Sequence, residues 1–129
     1  MGMIIMNGKE YAGSGSEWHE YSTEEKVVGK WTNGKTLYEK TITFTPNSSH
    51  YTVDVSSLNI NDCVYLNGWF INIGGNYIYL NHYAGNGDWH GLIYSPSNGG
   101  CLIADQDNSS RFGLNCPWTA TIRYTKTTD

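Results

Sequence analysis

Trp118-Thr119-Ala120-Thr121-Ile122-Arg123-Tyr124 alternates large or apolar side chains with polar ones at every step. That is the two-residue period of a half-buried β-strand. Trp118, Ala120, Ile122 and Tyr124 would share a dry face, and the threonines would stand on the other. The same period recurs upstream. Tyr38, Ile42 and Phe44 fall on one face of a strand that Pro46-Asn47-Ser48-Ser49 ends, and Tyr51, Val53 and Val55 alternate in the next. Tyr77-Ile78-Tyr79-Leu80 puts tyrosines on one side and aliphatics on the other, which gives that strand one dry and one wettable face. Leu92-Ile93-Tyr94 is a strand stopped by Pro96, and Asn98-Gly99-Gly100 turns into Cys101-Leu102-Ile103-Ala104.

Punctuation between these runs is dense. Asn33-Gly34 sits between β-rich flanks and predicts a hairpin, because both residues tolerate positive φ. The run from Cys63 to Ile73 is apolar on both parities, with Asn67-Gly68 splitting it into two short strands or one bulged strand, and it is the expected centre of the core. Trp69 and Trp118 are expected inside that core. Ser22-Thr23-Glu24-Glu25 has capping-box spacing, though any helix there is short, since Val27-Val28-Gly29 follows at once. Seven to nine short strands, no amphipathic helix of ten residues and no fixed-period repeat predict an all-β fold, an antiparallel β-sandwich of jelly-roll type. Residues 1–20, which contain Gly13-Ser14-Gly15-Ser16, read as an N-terminal extension or linker ahead of a single domain at 21–129.

Composition narrows the function classes. The chain has 129 residues, only 16% of them charged, with 13 Asn, 12 Thr, 11 Ser, ten Tyr and five Trp. A formal net charge of −4 has the wrong sign for binding phosphates over an extended surface, so nucleic acid is not an expected partner. Lys26, Lys30, Lys35 and Lys40 alternate with Glu24, Glu25 and Glu39, which reads as a solvated mixed face. The apolar run Met3 to Met6 is shorter than a signal-peptide core, and no stretch approaches a membrane span, so no membrane insertion is expected. Cys63, Cys101 and Cys116 lack zinc-ligand spacing, and Cys63 and Cys101 read as small buried hydrophobes in a reducing compartment.

Two segments carry a resemblance. Residues 21–41, Tyr21-Ser22-Thr23-Glu24-Glu25-Lys26-Val27-Val28-Gly29-Lys30-Trp31-Thr32-Asn33-Gly34-Lys35-Thr36-Leu37-Tyr38-Glu39-Lys40-Thr41, resemble a module of tail-associated and receptor-binding-type proteins in bacteriophages and prophages of gut Firmicutes. That module reads Y-S-T-x-E-x-V-V-G-x-W-x-D-G-K-P-x-Y-x-K-T. The ending Ala120-Thr121-Ile122-Arg123-Tyr124-Thr125-Lys126-Thr127-Thr128-Asp129 is similar to the tail of the same proteins. Together the two cover about a quarter of the chain. Asn33 replaces the module's Asp and Thr36 its Pro, and both keep a turn with an accessible left-handed residue. The resemblance implies a virion location on a phage tail, synthesis in the bacterial host cytoplasm, a place at a fibre tip and a homotrimeric assembly. The resemblance does not extend to residues 46–118, and a ligand would be chosen there.

Chemistry-bearing constellations are sparse. Asp105-Gln106-Asp107-Asn108 is oxygen-rich enough for calcium but lacks the Gly and Glu of an EF-hand loop, so it reads as a polar turn, and no cofactor or metal is expected. Asp54, Asp62, Asp88 and Asp105 show no spacing that singles out a glycosidase pair. His82 and His90 form no metal-binding motif in sequence but could meet across a hairpin, where a metal or acid-base site would become possible. No G-x-S-x-G elbow or phosphate-cradling loop occurs, so the expectation is a non-enzyme. The ligand-binding candidates are Tyr77, Tyr79, Asn81, Tyr83, Asn86, Asp88, Trp89 and His90. Aromatic rings stack on the apolar faces of sugars while Asn, Asp and His bond hydroxyls, which suits carbohydrate recognition and serves a protein epitope equally well; taken with the resemblance, this implies a bacterial surface glycan or another receptor. Trp89 leads this set, because a loop tryptophan among hydrogen-bonding groups is not committed to a core. Two rival functions remain: a purely structural capping or trimerisation domain, and a small glycan-degrading enzyme.

Overall fold

The computed structural model describes residues 19–83, 89–107 and 113–129, with the backbone of two short strands before them. Those two are β1 (Ile4–Met6) and β2 (Lys9–Tyr11), an antiparallel pair lying within the stretch read as a linker. The remaining strands are β3 (Lys26–Lys30), β4 (Thr36–Phe44), β5 (His50–Asp54), β6 (Ile60–Ile71), β7 (Tyr77–Tyr79), β8 (His82–Tyr83), β9 (Trp89–Ser95), β10 (Cys101–Gln106) and β11 (Trp118–Lys126). They form a five-stranded antiparallel sheet in the order β3-β4-β11-β6-β7 and a four-stranded one in the order β5-β10-β9-β8. The two sheets face each other as a β-sandwich, as the alternation predicts. No α-helix occurs among the described residues. The capping-box segment is instead a bend in which Ser22 Oγ accepts the Glu24 N–H at 3.0 Å.

The core is built from the inward parity of each strand. Trp118, Ala120, Ile122 and Tyr124 of β11 are buried, and Phe44, Phe70, Leu92, Leu102 and Ala104 meet them from both sheets. Phe70 stacks on Trp118 with ring centroids 4.8 Å apart, and the indole N–H donates to the Gly113 carbonyl at 3.0 Å. A buried Trp needs such a partner, since an unsatisfied N–H would offset much of what its rings gain by burial.

Asn33-Gly34 forms the expected hairpin, with Gly34 at φ 85° and the Gly34 N–H donating to Trp31 O. Asn67-Gly68, by contrast, does not interrupt β6. Asn67 and Gly68 pair in register with Thr121 and Ala120, and the irregularity falls further back, where Cys63 and Tyr65 oppose the adjacent Tyr124 and Arg123. Gly68 is required there for space: a Cβ would lie 2.9 Å from both Leu80 Cδ1 and Thr119 O. Four connections cross between the sheets, one of them the return from β10 to β11. Pro46–Ser49 and the 3₁₀ turn Ser56–Leu58 carry β5 out and back, and residues 80–81 carry the chain from β7 of one sheet to β8 of the other. That last crossing decides the fate of the candidate site.

Candidate functional site

On β6 the parity opposite to Phe70 is carried by Tyr65, Asn67, Trp69 and Ile71, which therefore face away from the core. Trp69 is 37% exposed, so the expectation of a core residue is corrected: Phe70 takes the inward position, and its neighbour must point out. The turn after β6 closes with Asn72 N–H donating to Asn76 O, which sets Ile71 opposite Tyr77 and Trp69 opposite Tyr79. Tyr77 and Tyr79 then lie beside Trp69 on the same outer face, 58% and 68% exposed, and Tyr77 stacks on Trp69 with centroids 5.7 Å apart. Across the sheet, β11 and β4 present threonines on this face. Thr121 opposes Asn67 and Thr41, and the two threonine hydroxyls bond at 3.0 Å.

Aromatic walls and a low threonine floor make a half-open groove of about 420 Å³. Tyr65 and Trp69 rise from β6, Thr41 of β4 and Thr119 and Thr121 of β11 lie low beside them, and Tyr21 comes in from the segment before β3. That segment is held to the sheet by the Thr41 N–H, which donates to Ser22 O at 2.8 Å. Tyr65 is fixed twice: the Arg123 guanidinium lies 4.5 Å over its ring, and the Asn67 amide donates to its hydroxyl at 3.3 Å.

One end of the groove carries a charge network that the sequence reading missed. Glu39, expected on a solvated face, is only 2% exposed. Arg123 Nε donates to its Oε2 at 2.7 Å, and His19 Nε2 lies 2.8 and 2.9 Å from its two oxygens. Burial of this carboxylate is tolerated because it is paired.

The sequence-based candidates do not converge. Tyr77 and Tyr79 belong to the groove face. Tyr83 and Trp89 oppose each other on β8 and β9, on the outer face of the four-stranded sheet, the far side of the sandwich. His90 is corrected most sharply: at 1% exposure it lies in the core beside Phe70 and Trp118, because its parity on β9 is that of Leu92. It does meet His82, with rings stacked at 5.8 Å. Asn81 spends its carboxamide oxygen on the Leu92 N–H at 2.7 Å. Asn86 and Asp88 lie outside the described residues.

Other chemistry is thin. Asp105 bonds His50 Nδ1 at 2.7 Å, and no group of three or more His, Cys, Asp or Glu side chains suited to a metal occurs among the described residues. Asp54 accepts the Ser56 N–H at 2.8 Å, and its bonds to Ser56 hold its carboxyl below the usual range. Cys101 and Cys116 are buried and Cys63 is half-buried. No described helix is long and apolar enough to cross a membrane. Protein-family models, curated proteins and solved structures yield no match to this chain.

Proposed function

We propose that this protein is a non-enzymatic glycan-binding domain whose site is the outer face of the five-stranded sheet. The supporting observation is the pairing of an exposed, Tyr77-stacked Trp69 with a floor of threonine hydroxyls in one groove. Rings held on paired strands lose little freedom on binding, and they suit the apolar face of a sugar while the hydroxyls address its polar edge. The phage-tail resemblance supplies the setting: a tail-fibre tip binding a bacterial surface receptor, where repetition along the fibre multiplies a weak single-site affinity. Relative to the sequence reading, the proposed contact surface moves from Trp89 to Trp69.

A glycan array probed with the wild type, Trp69→Ala and Trp89→Ala tests this choice. Loss of signal with Trp69→Ala and retention with Trp89→Ala is the expected result, and the reverse pattern would return the site to the opposite face. The structural rival draws support from a different feature, the exposed Tyr83, Trp89 and Ile93 on that opposite face. Sedimentation equilibrium of the same variants reads whether these residues join copies of the chain.

A further inference from the structure

The groove contains no formal charge. The rings of Tyr21, Tyr65 and Trp69, the threonine hydroxyls and the Asn67 carboxamide line it. The charges bordering it at the Tyr65 end are matched internally, since Arg123 and His19 both bond Glu39. Building on the glycan-binding reading, we infer that the groove takes an uncharged, linear polysaccharide, held along its chain instead of at a terminus.

Two observations carry this. A polyanionic chain of uronate or phosphodiester units would lay negative charges on a partly desolvated surface whose lining offers no cation, on a protein of net charge −4. Both its desolvation and the overall field oppose that complex. Neutral hydroxyls, in contrast, find the acceptors and donors they need in Thr41, Thr119 and Thr121. Shape supplies the second argument. Tyr65 and Trp69 are four residues apart on one face of β6, so their rings are spaced by roughly 13 Å, more than one sugar unit spans. The trough lies open on a sheet face and is not an enclosed cavity, so a chain can lie along β6 over both rings with both ends continuing into solvent.

Affinity electrophoresis of the full chain tests the inference, with gels containing hydroxyethylcellulose, mixed-linkage β-glucan or galactomannan, each run against the carboxymethylated form of the same polymer. The expected result is retardation by at least one neutral polymer, weakened about tenfold in its carboxymethylated form at low salt. Trp69→Ala and, independently, Tyr77→Ala should abolish the retardation while leaving the thermal unfolding transition in place. Equal or stronger retardation by a carboxymethylated polymer, still lost in Trp69→Ala, overturns the neutral-ligand inference but leaves the glycan site intact. Absence of retardation by every polymer, neutral and charged, overturns both.

Discussion

Glu39 shows how much of this site depends on residues far apart in the chain. In the sequence it stands among alternating lysines and glutamates, a pattern that describes a solvated edge. In the fold its position on β4 faces outward, yet Arg123 and His19 close over it. Arg123 is 84 residues away, and no local pattern announces the pairing. Arg123 also lies over Tyr65, so the carboxylate fixes a guanidinium that in turn fixes a groove wall. For Glu39→Ala we expect a stability loss of about 1–2 kcal/mol, below the 3–5 of a fully interior pair because Arg123 can turn to water. We also expect weaker glycan binding, since Tyr65 loses its brace. Urea denaturation and array binding measure the two effects, and full affinity in a destabilised variant would show that Tyr65 needs no such support.

β11 is the element on which the sandwich is organised, and it was fully legible: its strict alternation names four residues that are all buried in the core. It lies between β4 and β6, whereas β3 and β7 are the edges of the same sheet. Hydrogen exchange should follow that order, with β11 amides opening only through global unfolding and those of β3 and β7 exchanging orders of magnitude faster. Equal protection in β7 and β11 would mean that the edge is covered by something else, such as a second copy of the chain. β6 was harder to read. With apolar residues on both parities, the local pattern does not say whether Trp69 or Phe70 points inward. The turn from Asn72 to Asn76 could have decided it, because tyrosines at 77 and 79 that face solvent place their partner Trp69 outside as well. Asn67-Gly68 misled for a different reason: it has the composition of a turn, but the glycine is there so that Leu80 can pack against the strand. The candidate cluster from Tyr77 to His90 failed as a unit because the chain changes sheets at residues 80–81, which sends neighbours in sequence to opposite faces and one of them into the core.

At the scale of the whole molecule, the sandwich presents two outer faces of different character and closes its C-terminal end with a tyrosine-carboxylate latch. Tyr124 is buried, and its hydroxyl donates to Glu25 Oε2 at 2.5 Å, while Lys126 holds the other Glu25 oxygen at 2.8 Å. Tyr38, stacked on Tyr124, donates in turn to Asp129. Burial, reinforced by the Glu25 bond, pushes the Tyr124 phenol far above its ordinary value, and Asp129 raises Tyr38 in the same direction. Burial also raises Tyr94. In the unfolded chain these phenols release their protons near pH 10, whereas the native state retains them. The unfolded state therefore binds fewer protons above about pH 10, and stability falls with rising pH from there upward while being fully present below. The urea midpoint should stay level from about pH 7 to 9 and then decline, beyond what lysine titration alone produces. Tyr124→Phe separates the contributions: it should cost about 1 kcal/mol at neutral pH through the lost hydrogen bond and flatten the alkaline decline, because the buried phenol no longer titrates. A variant whose midpoint falls as steeply as the wild type above about pH 10 would place the alkaline transition elsewhere and leave the latch as packing alone.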